Sequence, residues 1–300
     1  MKKKTFLIAL MAMVLTLGSC SDNENGIGGE TSKYITVSTS IGNMTRVATD
    51  EKGGQTFEEG DEISVYAWTG APTVAPETSE RVVNNAINKL TNGSWVSTPQ
   101  MLWKNNRDKH YFIGVYPISA ISDLSAGEYT FDETKQVESD LLVAVNKDGL
   151  SYNVDEQQTV PLTFTHVMAK LAVNLTYKNQ WGGIPTVEKV VVGNAAKEAT
   201  INYLTKVVTP STTAKEDFSL PEITENTKYV SVIIPQEDVK QLTIVIGGKN
   251  FVYDNGTPFK LESGKITTVN LEVGRDEIKL GDVKITDWED GSTFSGEALN

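Results

Sequence analysis

The chain has 300 residues, 27 basic and 39 acidic side chains for a formal net charge of −12, one cysteine and two histidines. An acidic exterior argues against nucleic acid as a partner and against charge-driven adhesion to anionic lipid. A single cysteine removes intrachain disulfides and Cys-based metal sites, and two histidines argue against a histidine metal cluster.

Lys2, Lys3 and Lys4 open the chain, an apolar run extends from Phe6 to Leu15, and Leu17-Gly18-Ser19-Cys20 closes the segment. These are the charged, apolar and small-residue parts of a secretory signal, and the run is too short to span a bilayer. Its last four residues resemble the lipobox of bacterial lipoproteins, in which the cysteine carries the lipid and begins the mature chain. Residues 1–19 are therefore expected to be a signal peptide and Cys20 the lipidation site. Their removal leaves 24 basic against 39 acidic side chains, a net charge of −15. Residues 20–33 read as a tether, flexible by composition. The stretch after Cys20, with Asp22 and Glu24, also resembles the short acidic signal that sends Bacteroidota lipoproteins to the outer face of the outer membrane, and spacer and signal fit equally well.

The rest of the chain has β texture: short runs rich in Val, Ile, Thr and Tyr between Gly, Asn, Asp and Pro clusters. In the first expected strand, Tyr34–Ile41, the residues Ile35, Val37, Thr39 and Ile41 share one face and Thr36, Ser38 and Ser40 the other, the pattern of a strand with one buried side. Behind it the link NMTRVATDEKGG (residues 43–54) places Arg46, followed by Val47, in a polar stretch, although the chain has only four arginines. Further strands are expected at 61–68, 110–116, 128–131 and 141–145, with a short helix or strand at 82–90. The polar stretch 149–159 supplies the domain boundary, cut near Gln157, which divides the chain into 34–157 and 158–300.

The second part gives strands at 160–177, 187–193, 199–208, 229–234, 241–246, 250–253, 265–273 and 278–286. Within 160–177 the alternation of Leu162, Phe164 and His166 shifts register before Leu171, Val173 and Leu175, which suggests a bulge or a bend where the strand changes neighbours. His166 reads as a packed or edge histidine rather than a ligand. At the C-terminus Val283 and Ile285 alternate, Trp288 follows, and the remainder is polar.

Several of these segments carry a family resemblance. Phe57-Glu58-Glu59-Gly60-Asp61-Glu62-Ile63-Ser64-Val65-Tyr66-Ala67 resembles the F-x-x-G-D-x-I-x-V-Y-A segment of fimbrillin-like proteins of the Bacteroidota. Tyr116-Pro117, Asp140-Leu141-Leu142, the run Leu162–Leu171, Leu261–Lys265 and Ile285–Trp288 match further segments of that family in the same order. The resemblance implies an all-β fold of two β-sandwich domains in tandem, the C-terminal one transthyretin-like. It further implies export as a lipoprotein to the cell surface, held in the outer membrane by its lipid. An arginine-specific or trypsin-like surface protease would then cut between Arg46 and Val47, freeing a first strand spanning 34–46 with its inward residues Ile35, Val37, Thr39 and Ile41. The groove is then filled by a strand of another fimbrillin subunit, in a homo- or heteropolymer that forms a fimbria. Val283, Ile285 and Trp288 are the candidate donor segment, shorter in alternation than an ordinary strand. Stalk, tip and accessory positions all remain open.

Other chemistries find less support. The acid pairs Glu58-Glu59 and Asp61-Glu62 point to opposite faces of an extended chain and do not by themselves flank a glycosidic bond. Gly182-Gly183 and Gly247-Gly248 lack the lysine and helix of a phosphate loop, and no G-x-S-x-G motif occurs. No catalytic residue, metal or cofactor is expected. The runner-up reading is a surface glycan-binding lipoprotein using Trp68, Trp95, Trp103, Trp181 and Trp288 as a platform. A weaker one is a surface glycosidase.

Overall fold

A computed structural model describes residues 33–42, 56–153, 155–156 and 158–288. Among these the regular elements are strands, apart from two single-turn 3-10 helices at Thr78–Glu80 and Asn179–Trp181. The first part of the chain forms β1 (Thr36–Ile41), β2 (Glu62–Thr69), β3 (Arg81–Thr91), β4 (Ser94–Thr98), β5 (His110–Tyr116), β6 (Gly127–Thr130), β7 (Leu142–Leu150) and β8 (Thr159–His166). All but β6 belong to one seven-stranded sheet in the order β1-β8-β7-β5-β2-β3-β4. The 82–90 segment, ambiguous in sequence, is therefore the strand β3. The short β4, SWVST, escaped the sequence reading because its burial is weak along its whole length.

The chain continues with β9 (Ala169–Tyr177), β10 (Val187–Ala196), β11 (Glu198–Asn202), β12 (Val207–Pro210), β13 (Lys215–Ser219), β14 (Glu222–Thr224), β15 (Lys228–Ile233), β16 (Gln236–Ile246), β17 (Lys249–Leu261), β18 (Lys265–Val273) and β19 (Ile278–Asp287). They form a five-stranded sheet, β14-β15-β9-β18-β19, and a four-stranded sheet, β13-β10-β16-β17, while β12 and β11 join β6 in a small third sheet. Leu171, Val173, Val232, Val269 and Leu271 of the five-stranded sheet pack in one core with Val190, Val192, Leu242 and Ile244 of the four-stranded one.

The expected run 160–177 is two strands in two sheets. β8 pairs with β7 and β1, β9 pairs with β15 and β18, and the passage falls at Val167-Met168. The register shift in the sequence marks this change of neighbours. It also means that the chain leaves the first sheet after His166, whereas the boundary drawn near Gln157 fell ahead of β8. Polar composition marks a connection, and a connection between two strands of one sheet is as polar as one between domains.

β2 is buried from Ile63 to Trp68 because both faces of its sheet are covered. Ile63, Val65 and Ala67 enter one core with Phe112, Leu162 and Phe164. Tyr66 and Trp68 turn the other way, into the core shared with β9, β10 and β18.

Candidate functional site

β1 lies beside β8 in a parallel ladder from Thr36↔Thr159 to Ile41↔Phe164. As the alternation required, one face is inward: Ile35 is 2% exposed and Val37 6%, Thr39 and Ile41 are half-buried, and Ser38 and Ser40 face out. Val160, Leu162 and Phe164 of the neighbouring β8 share the same core with Ile35 and Val37, together with Met101 and Trp103. Gly114 of β5 has no side chain here because a Cβ would come within 2.6 Å of the Phe164 ring.

The other edge of β1 is also occupied. Ile35 N donates to Met101 O at 2.9 Å, Trp103 N donates to Lys33 O at 3.2 Å, and Tyr34 bridges Leu102. Trp95 of β4 donates its indole N–H to Thr39 Oγ1 at 3.0 Å, so the two outer strands of the sheet meet and β1 closes it. Its partner β8 depends on it in turn. Among the described residues β7 pairs with β8 only at Phe164, Thr165 and His166, so along Thr159–Thr163 the backbone ladder of β8 is supplied by β1.

Past Ile41 the last described bond of this segment is Gly42 N to Phe164 O, 2.9 Å. Beyond the link, Phe57 packs edge-on against Phe164, Trp95 and Tyr116 with ring centroids 5.1, 5.3 and 5.4 Å away. Both ends of the link thus converge on Phe164. Beside them is a cleft of about 470 Å³ lined by Ile41, Phe57, Tyr116, Val137, Leu142 and Lys170 among others. Burial, reinforced by the Asp61 carboxylate, pushes the Tyr116 phenol up to about 12. Cys20, Arg46 and Val47 lie outside the described residues.

The candidate donor segment sits at the opposite end of the chain. β19 is the outer strand of the five-stranded sheet and, among the described residues, pairs only with β18. Its register shifts at Asn270/Leu271, where Gly281 forms a bulge. The bulge places Ile278, Leu280, Val283 and Ile285 opposite Val273, Leu271, Val269 and Thr267, all on the core side of β18. This corrects the expectation of a short apolar alternation: the backbone adds an out-of-register glycine and so aligns four apolar residues on one face. The cover is incomplete, since Val283 is 40% and Ile285 37% exposed.

Trp288 ends the strand differently. It is 8% exposed, its backbone N–H donates to Gly264 O at 3.0 Å, its ring stacks on His166 at 4.0 Å and 7°, and Lys170 Nζ lies 4.0 Å from its ring centroid. His166 Nδ1 is 2.8 Å from Asp140 Oδ1. His166 is therefore a packed residue, as its position in the strand suggested. The tryptophans do not form an open platform. Trp68, Trp103 and Trp288 are buried, and Trp95 and Trp181 are half-buried, with their indole N–H groups bonded to Thr39 Oγ1 and Val273 O.

Among the described residues, no group of three or more His, Cys, Asp or Glu side chains could hold a metal ion, and no helix is long and apolar enough to cross a membrane.

The comparison that decides the family is a match to the fimbrillin-like family over residues 45–288. The chain belongs to the fimbrillin-like family. This is a family of structural fimbrial subunits, not of enzymes. Among solved structures, the fold is similar to that of a proposed cell adhesion protein from Bacteroides uniformis, at a TM-score of 0.63 and 17% identity over 85% of this chain and 98% of that one. A proposed cell adhesion protein from Bacteroides ovatus gives 0.62 at 18% identity, with the same coverage of 85% and 98%. A fimbrial protein from Bacteroides vulgatus gives 0.51 at 12% identity over 84% and 99%. No match was found among curated proteins.

Proposed function

We propose that this fimbrillin-like protein is a subunit of a cell-surface fimbria. It is exported as an outer-membrane lipoprotein through Cys20, cut between Arg46 and Val47 by an arginine-specific surface protease, and assembled by exchange of β1 for a strand of another subunit. The observation that carries this reading is the correspondence of two strands. β1 presents Ile35, Val37, Thr39 and Ile41 inward, and β19 presents Ile278, Leu280, Val283 and Ile285 on one face. The four apolar residues share that face through the Gly281 bulge, so a strand that keeps the bulge would meet the four inward positions of β1. Supporting it, the family match begins at residue 45, beside Arg46, so the shared segment is nearly the one left after the cut.

The energetics favour replacement over vacancy. Burying Ile35 and Val37 is worth roughly 1.5–3 kcal/mol each as an upper estimate, a large part of the ~5–15 kcal/mol that stabilises a typical domain. A body without β1 exposes this floor and an unpaired edge of β8, which selects for a new strand. The half-covered Val283 and Ile285 gain burial on entering such a groove.

Arg46→Ala tests the processing step. The variant is expected to fold, to carry its lipid and to remain monomeric on cells, while the unaltered protein enters fimbriae. Normal fimbriae from the variant would overturn the reading. The glycan-binding alternative loses its main support because the indoles are packed or half-buried.

A further inference from the structure

The two ends of β1 differ in burial, and the cleft lies at the less buried one. At the Ile35 end the strand is bonded on both edges, by the β8 ladder and by the Met101 and Lys33 carbonyl contacts. At the Ile41 end the Trp95 indole and the Gly42 N–H still bond Thr39 Oγ1 and Phe164 O, but Thr39 and Ile41 are only half-buried and Ser40 is exposed. Of the cleft's lining, Ile41, Phe57 and Leu142 belong to or pack on the core that β1 covers, with Val137 exposed beside them and Glu58, Asp61, Asp140 and Lys170 also on its wall.

We infer that cutting the 43–55 link does not by itself open the groove: β1 stays seated in the nicked protein until an extended strand of a second copy enters the cleft beside Ile41 and displaces it from that end. This rests on the strand-exchange reading above, but not on which bond of the link is cut. Loss of β1 before a replacement arrives would uncover Val160, Leu162 and Phe164 and leave Thr159–Thr163 without their ladder partner. Stepwise replacement never exposes that whole edge at once. The incoming segment must carry an apolar side chain for the Phe57–Leu142 wall and then continue an inward alternation, as Val283 and Ile285 of β19 do for one repeat.

The test uses the unlipidated chain with a site-specific protease sequence placed within 43–55, so that the identity of the natural cleavage site does not enter. After nicking, the released N-terminal fragment should co-elute with the body on native size exclusion. A labelled peptide of residues 33–46, which fits the groove by construction, should then displace it at a rate that rises in proportion to peptide concentration. Val137, 65% exposed on the cleft wall, becomes a plug in Val137→Trp and should slow displacement about tenfold, within the range by which mutants of one interface differ in association rate. Val252→Trp, at an exposed position on β17, should leave the rate unchanged. Separate elution of the fragment, a release rate independent of peptide concentration, or equal behaviour of the two tryptophan variants would overturn the inference. Absence of cleavage at Arg46 on cells would overturn the processing proposal and leave this result standing.

Discussion

β1 and β19 are both terminal strands with one apolar face, but the fold treats them in opposite ways. β1 is flanked on both edges and presses Ile35 and Val37, 2% and 6% exposed, into a core. β19 has a partner on one edge and leaves Val283 and Ile285 40% and 37% exposed. In the proposed assembly the firmly seated strand is the one that leaves, and the loosely covered strand is the one that travels. On that proposal the monomer is kept from assembling by the strand it must lose, while the strand it gives has less apolar burial to surrender over Val283 and Ile285. Trp288 is the exception, a buried ring stacked on His166 just past a strand whose Val283 and Ile285 are half-covered.

The largest expected effect breaks the floor of the β1 groove. Phe164→Ala should cost about 3–5 kcal/mol in denaturant unfolding, because its fully buried ring fills the core beside β1 and packs edge-on against Phe57. Next comes the contrast itself: Ile35→Ala should cost about 2–5 kcal/mol, whereas Ile285→Ala should stay within about 1 kcal/mol in the monomer. Equal costs would break the comparison. A third change sharpens it from the side of β5. Gly114→Ala forces the Phe164 ring to move and should destabilise by about 1–3 kcal/mol.

The smallest effect is one of pH. Tyr116, at the cleft, titrates at about 12 in the fold against an ordinary value of 10. The neutral phenol is therefore the form the fold favours. The stability it contributes is complete below pH 10 and is lost as pH rises from there towards 12. Tyr116→Phe should make the fall in melting temperature across that window shallower than in the unaltered chain.

Much of this was legible in the sequence, and the limits have physical causes. The alternation in Tyr34–Ile41 reported the inward face of β1 correctly, since a period of two is local information. The shift after His166 likewise marked the passage between sheets. Sheet membership was not legible: Thr36 meets Thr159 across 123 positions, and nothing local in TVPLTFTH says that it returns to the first sheet. The face of β19 was obscured by Gly281, because one bulged residue inverts the apparent periodicity on either side of it. Of the processing residues, Cys20 and Arg46 remain readings of the sequence and of the family it resembles.

The central claim is that the chain found in a fimbria has lost its first strand. The direct measurement is the N-terminal residue of this subunit in fimbriae purified from the cell surface. The account predicts Val47; a subunit that still begins at Cys20 would contradict it.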